Sequence, residues 1–144
     1  MTEIDVLQDV LANEHAAVYL LGVIGARTSQ SGAPEAYAAV RAAYDAHRGR
    51  RDDLTGLVAA SGAEPVAAEP AYTVPTGLET TDGVLLAGLE LERACADVYA
   101  AAVAGTTADN RALLVSALND AAVRELGLRG TPEMFPGADE YTDR

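Results

Sequence analysis

Large aromatic side chains and cysteines are scarce in this sequence. Its 144 residues include no tryptophan, one phenylalanine and one cysteine, whereas hydrophobic residues, many of them alanine, make up 49%. Small side chains of this kind favour closely packed helices over a sandwich of strands. The lone cysteine, Cys95, excludes an intrachain disulfide, and its position beside an apolar stripe favours a small buried side chain over a reactive thiol. A single helical domain is therefore expected.

Lysine is absent as well, and acidic residues outnumber basic ones. All ten basic residues are arginine, and the net charge is −12. Binding to nucleic acid or to an anionic membrane needs a basic face, so this charge argues against both partners. The acidic N-terminal residues lack the basic region of a signal peptide, and no uninterrupted apolar run reaches membrane-spanning length. These features predict a cytoplasmic protein, and exposed alanine-rich helix faces are compatible with a homodimer.

Two of the predicted helices each carry one glutamate in the middle of an apolar stripe. Residues 82–104 place apolar residues at steps of three and four, which is typical of a buried helix face, and Glu92 occupies one of those steps. The pattern recurs in residues 7–25, where Glu14 occupies the corresponding step. Both glutamates are therefore predicted to lie inside the protein.

Capping residues, glycines and prolines divide the chain into four helices. The predicted helices run from residue 3 to 26, from 34 to 61 or 62, from the cap at 80–82 to 105, and from 107 or 109 to 127 or 130. Residues 131–144 form an irregular acidic tail, in which Phe135 is expected to pack back onto the helices. The predicted domain thus covers residues 1–130.

The connection between the second and third helices is unusually long. Residues 62–80 contain three prolines and cannot be helical. Fully extended they could span about 60 Å, whereas a helix of this protein's typical length extends about 37 Å. The segment can therefore return the chain to the other end of a bundle. Two antiparallel hairpins joined by one such crossover form an all-α, ferritin-like four-helix bundle.

Polar residues occupy matched heights in the two predicted hairpins. Superposing the first helix on the third aligns Glu14 with Glu92. Superposing the second on the fourth aligns His47 with Asp120, with an arginine one turn further on in each. Because all of these positions lie on core stripes, we expect them to meet inside the bundle. The predicted polar layer consists of Glu14, Tyr44, His47, Arg51, Glu92, Asp120 and Arg124.

Four short motifs give the chain a family resemblance. They are Glu-His-Ala-Ala-Val-Tyr at 14–19, His-Arg-x-Arg-Arg-Asp at 47–52, Leu-Glu-x-x-Cys at 91–95 and Asp-Ala-Ala-Val-Arg at 120–124, followed by Phe-Pro-Gly at 135–137. With these motifs, nearly the whole chain resembles a bacterial family of ferritin-like four-helix proteins, a domain of unknown function. The resemblance implies the fold and carries no assigned activity.

The wider ferritin-like superfamily implies a di-iron centre, from which this sequence departs. That centre takes a glutamate from the first and third helices and a Glu-x-x-His pair from the second and fourth. Glu14 and Glu92 match the single glutamates, but Tyr44 replaces the acid before His47, and Val123 stands where the second histidine belongs. A single iron or manganese ion remains conceivable. Its candidate ligands are Glu14, His47, Glu92 and Asp120.

Charge balance favours an ion-pair network over a metal site. The layer holds three carboxylates and two arginines, and protonated His47 would make it neutral. Guanidinium groups also occupy the carboxylate lone pairs that a metal would use. We therefore predict a structural or binding module with no cofactor, in which a buried Glu/Arg/His/Asp network replaces the metal site. The alternatives are an iron- or manganese-dependent oxidoreductase, and a small-molecule pocket at the polar layer.

Overall fold

The computed structural model describes residues 1–128, 130 and 132–138, and these residues form four helices and no strand. The helices are α1 (Glu3–Gly25), α2 (Pro34–Ala60), α3 (Thr81–Ala104) and α4 (Ala108–Gly127). Each lies within the bounds predicted from the sequence. The all-α four-helix class is therefore confirmed. None of the helices, over the residues described, combines the length and apolarity needed to cross a membrane.

Local side chains fix where the helices begin. At the start of α1, the Thr2 hydroxyl accepts a hydrogen bond from the Asp5 backbone N–H at 3.2 Å, and the Asp5 carboxylate accepts one from the Thr2 N–H at 2.7 Å. This reciprocal capping box satisfies two amides that the helix itself leaves unpaired. The hydroxyl of Thr80 caps α3 in the same way, at 3.0 Å from the Gly83 N–H. Pro34 occupies the first turn of α2, where no N–H is needed.

Two groups of buried apolar residues show how the helices are oriented. The first core cluster includes Leu7 and Leu11 of α1, Leu54 and Val58 of α2, Tyr99 and Ala102 of α3, and Leu114 of α4. The second includes Leu21 and Ile24 of α1, Ala36 and Val40 of α2, Val84 and Leu85 of α3, and Leu128, next to the end of α4. The start of α1 therefore lies with the ends of α2 and α3 and the start of α4. Helices α1 and α4 run one way, and α2 and α3 run the other.

The segment between α2 and α3 follows the outer face of α1. The Gln8 side-chain oxygen accepts a hydrogen bond from the Val66 N–H at 2.8 Å. Further along α1, the rings of Tyr19 and Tyr72 lie 5.3 Å apart. The end of the segment, at Leu78, reaches the second core cluster. The segment therefore carries the chain along the whole bundle, and the hairpins it joins are the two predicted antiparallel pairs.

Two described residues after α4, Gly130 and Gly137, lie close to the bundle. Gly130 donates a backbone hydrogen bond to the Glu125 carbonyl at 2.7 Å. At Gly137 the chain lies so close to α3 that an added Cβ would come within 2.6 Å of the Ala96 carbonyl oxygen. Phe135, which was expected to pack onto the helices, keeps 64% of its surface exposed. The acidic end of the predicted tail, beyond residue 138, lies outside the described residues.

Candidate functional site

Three ionisable side chains from three helices meet at the centre of the bundle. Glu14 of α1, His47 of α2 and Glu92 of α3 are all 0% exposed. His47 Nδ1 lies 2.7 Å from Glu14 Oε2, and His47 Nε2 lies 3.2 Å from Glu92 Oε1. The imidazole therefore bridges two carboxylates, one at each ring nitrogen. This cluster joins the two hairpins where α1, α2 and α3 meet.

The geometry favours a doubly protonated ring. A neutral imidazole has one N–H and one lone pair, so it can satisfy only one of two facing carboxylates, whereas an imidazolium satisfies both. Burial by itself lowers the pKa of His47, but the hydrogen bonds and charges of Glu14 and Glu92 outweigh it and raise that pKa. Burial likewise raises the pKa of Glu92, yet His47 and Arg124 together hold it below its usual value. The two facing carboxylates and the raised pKa of His47 therefore both favour an imidazolium in this cluster.

Tyr99 and Arg50 extend the network toward the surface. The Tyr99 hydroxyl donates a very short hydrogen bond to Glu14 Oε1 and accepts one from Arg50 Nη1 at 3.0 Å. Arg50 also donates to Asp120 Oδ2 at 3.4 Å, and its guanidinium carbon lies 5.1 Å from the centre of the Tyr99 ring. Burial raises the pKa of Tyr99, so its hydroxyl remains a donor. Glu14 is thereby held by His47 and by Tyr99.

Two ion pairs connect α3 with α4. Arg124 Nε donates to Glu92 Oε1 at 2.8 Å, and Arg93 Nε lies 3.5 Å from Glu125 Oε2. The pairs are reciprocal, because α3 presents Glu-Arg at 92–93 and α4 presents Arg-Glu at 124–125. Both glutamates are almost completely buried. Buried charges of this kind persist when they are paired, and here each helix supplies one charge of each sign.

The structure brings together four of the seven residues predicted for the polar layer: Glu14, His47, Glu92 and Arg124. Asp120 lies at the edge instead, because its side chain is 56% exposed and reaches the network only through Arg50. The expected direct contact between an arginine and a buried glutamate is present between Arg124 and Glu92.

Arg51 and Tyr44 do not join the network, so their predicted places in the layer were wrong. Arg51 pairs with its neighbour Asp52 at 2.7 Å near the surface. Tyr44 packs beside the second core cluster, close to Gly22, and makes no hydrogen bond with the described residues. The buried face of α2 is built on Ala36, Val40, Ala43, His47, Leu54 and Val58, so Ala43 is buried where Tyr44 was expected. Small alanines, not tyrosines, face the neighbouring helices.

The sequence analysis missed Arg50, Tyr99, Arg93 and Glu125 as members of buried polar contacts. The spacing of seven from Val40 through His47 to Leu54 allows either residue 50 or residue 51 at the intermediate core position, so it does not separate Arg50 from Arg51. Tyr99 was recognised only as a core position, and no pattern in the sequence indicates that its hydroxyl contacts Glu14. For Arg93 and Glu125, the reciprocal Glu-Arg and Arg-Glu pairs were the available signal.

The residues present do not fit a di-metal centre. Both ring nitrogens of His47 are engaged by carboxylates, so neither lone pair is directed at an ion, and Arg124 covers Glu92 Oε1. The fourth candidate ligand, Asp120, lies at the surface. Over the residues that the structure describes, no three His, Cys, Asp or Glu side chains are arranged to hold a metal ion.

Two further side chains that could carry chemistry, those of Cys95 and His15, have structural roles. Cys95 is buried in the first core cluster and accepts a hydrogen bond from the Asn13 amide at 3.4 Å. Burial raises the pKa of its thiol to about 12, which keeps the sulfur protonated and unreactive. His15 lies away from the network and contacts the Val66 carbonyl of the crossover at 3.0 Å.

The network meets solvent in a groove between α2 and α4. These two helices make little contact, and the groove between them has a volume of about 510 Å³. Arg50 forms part of its lining together with Asp45, Ala46, Gly49, Asp53, Leu113, Ser116, Ala117 and Asp120. The guanidinium of Arg50 therefore lies at the groove, where Nη2 faces Asp120 and Nη1 holds the Tyr99 hydroxyl.

These features define a four-helix protein with a buried charge network at its centre. Residues 6–140 match a domain of unknown function (DUF4439), and the chain belongs to that family. It is also similar to the crystal structure of a conserved hypothetical protein, rv2844, from Mycobacterium tuberculosis, with a TM-score of 0.79 and 28% sequence identity. The similarity covers 88% of this chain and 87% of that one. A search of curated proteins finds no match.

Proposed function

We propose that this protein is a metal-free structural or binding module of the ferritin-like type, in which the Glu14–His47–Glu92 cluster takes the place of a metal centre. The observation that carries the proposal is the imidazole of His47 between two carboxylates. An ion at this position would have to displace a proton from the ring and the arginine from Glu92. The connectivity of two hairpins with one long crossover supports the ferritin-like relationship.

The cluster would perform the joining role that a metal performs elsewhere. A bridging ion in a helical bundle holds carboxylates from several helices against their mutual repulsion. The imidazolium of His47 does this for Glu14 and Glu92, Tyr99 and Arg50 support the first carboxylate, and Arg124 supports the second. Counted with Asp120, three negative charges face three positive ones. The layer is therefore neutral without a dication.

The alternative is a metal-dependent oxidoreductase. One observation favours it: Glu92 Oε2 is buried and has no hydrogen-bond partner among the described residues. If His47 turned to release one nitrogen, that oxygen could join Glu14 and His47 around an iron or manganese ion. Cytoplasmic location and a homodimer remain predictions from the sequence alone.

Elemental analysis separates the two functions. The chain is purified without a chelator and titrated with Fe²⁺ under anaerobic conditions and with Mn²⁺, and bound metal is counted per chain. We expect substoichiometric metal, with no difference between the wild type, Glu92→Gln and the control Glu90→Gln, which changes an exposed carboxylate of the same helix. One metal per chain that is lost in Glu92→Gln and kept in Glu90→Gln would overturn the metal-free module and show a metal-binding protein, as the alternative requires.

A further inference from the structure

The ion pair between Arg124 and Glu92 leaves two polar atoms unsatisfied. Glu92 Oε2 and Arg124 Nη2 are both buried, and neither has a hydrogen-bond partner among the residues that the structure describes. Glu92 is completely buried, and the Arg124 side chain is 15% exposed. Leaving a buried donor or acceptor unmade costs about 1–3 kcal/mol, and more when the group is charged. The pair of atoms therefore requires a partner.

The two atoms belong to the two partners of one ion pair. In a guanidinium group, Nε–H and Nη2 form one fork, which usually binds both oxygens of a carboxylate. Here only one arm of the fork is used, because Nε binds Glu92 Oε1 at 2.8 Å. The unused nitrogen and the unused oxygen therefore belong to the two groups that this one hydrogen bond joins. One is a donor and the other an acceptor, so a single small molecule can satisfy both.

Charge selects the kind of molecule. In the whole network, the negative charges of Glu14, Glu92 and Asp120 are balanced by the positive charges of His47, Arg50 and Arg124 when His47 is protonated. A cation would meet the guanidinium of Arg124, and an anion would meet the Glu92 carboxylate. A neutral molecule that both accepts and donates hydrogen bonds meets neither obstacle.

We propose that one water molecule is bound between Arg124 Nη2 and Glu92 Oε2 and completes the α3–α4 side of the network. It accepts a hydrogen bond from the guanidinium and donates one to the carboxylate oxygen, as internal waters do between buried polar groups. This inference rests on the proposed function, since a metal ion bound by Glu92 would occupy the same oxygen.

The direct test is a high-resolution crystal structure with anomalous data collected at the iron and manganese edges. We expect one ordered water within hydrogen-bond distance of both atoms and no anomalous peak. Arg124 Nη2 bonded directly to Glu92 Oε2 would overturn the water site and leave the metal-free module standing. An anomalous peak at Glu92 would overturn both.

A solution measurement gives an independent check. Magnetic relaxation dispersion of water counts long-lived internal waters, and Arg124→Lys keeps the charge but removes the fork that holds this one. We expect one long-lived water fewer in Arg124→Lys than in the wild type or in Arg111→Lys, a control on the exposed part of the same helix. An equal count in all three proteins, each folded by circular dichroism, would contradict the proposal.

Discussion

Removal of either partner from the pair of Glu14 and His47 should destabilise the protein strongly, and removal of both should cost less than the sum. In Glu14→Leu the imidazolium keeps one of its two carboxylates, and the Tyr99 hydroxyl loses its acceptor. In His47→Leu two buried carboxylates remain without the cation between them. Breaking a buried pair by removing one partner typically costs about 3–5 kcal/mol. A domain of this size is stable by only about 5–15 kcal/mol.

The double variant, Glu14→Leu with His47→Leu, leaves a more nearly apolar layer, so part of the penalty in each single variant disappears. We expect the two single losses to exceed the loss in the double variant by about 2–3 kcal/mol, toward the upper end of measured coupling energies. Each loss is measured by urea unfolding followed by circular dichroism, provided that all variants show the same slope of the free energy of unfolding against urea concentration. Glu90→Leu, on the exposed face of α3, serves as the control and should stay within about 0.5 kcal/mol of the wild type. Single losses that add within about 0.5 kcal/mol would refute the reasoning, because uncoupled groups cannot form the proposed bridge.

Three further outcomes follow from the same contacts. The pKa of His47 is raised in the folded protein, so its stabilising contribution should be complete below about pH 6.5, the ordinary pKa of a histidine, and should decline as pH rises through the folded pKa. The free energy of unfolding is measured across this pH range for the wild type and His47→Leu. The same pH slope in both proteins would contradict the assignment. Arg50→Leu should cost about 1–3 kcal/mol because the Tyr99 hydroxyl, which keeps Glu14 as its acceptor, loses its buried donor and the guanidinium beside its ring. Arg51→Leu should change the free energy of unfolding by less than about 0.5 kcal/mol, and the reverse order would favour the place in the layer that the sequence predicted for Arg51. Cys95 should react with a thiol reagent only after unfolding, and a rapid reaction in the native protein would show that its burial is overstated.

The comparison of sequence and structure shows which helix faces a pattern can define. Both glutamates of α1 and α3 were placed correctly, because each lies on a stripe that includes several large apolar residues, among them Leu7, Leu11 and Leu21 in α1 and Leu85 and Leu89 in α3. In α2 and α4, part of the buried face lies one residue away from the predicted positions. In α2, alanine at 43 is buried and the larger Tyr44 lies beside the core, and in α4, Ala121 is buried and Asp120 is exposed.

Alanine explains the difference between these pairs of helices. When several faces of a helix carry alanine, periodicity alone gives similar scores to neighbouring orientations, and the choice is made by which face lets the helices approach most closely. Because of this one-residue difference, Arg50 joins the buried network through Tyr99, and Arg51 pairs with Asp52 near the surface. The contact between Tyr99 and Glu14 depends on how far α1 and α3 are shifted along each other. The periodicity of each helix alone does not determine that shift.

The most direct test of the central claim is the protonation of the His47 ring. Nitrogen-15 NMR reports each ring nitrogen separately, and His15, the other histidine of the chain, supplies an internal reference outside the network. We predict that both nitrogens of His47 carry protons at neutral pH and that each proton is shared with a carboxylate, of Glu14 or Glu92. A His47 ring with one unprotonated nitrogen at neutral pH, or one whose signals are broadened or shifted by added Mn²⁺ while those of His15 are unchanged, would contradict the account.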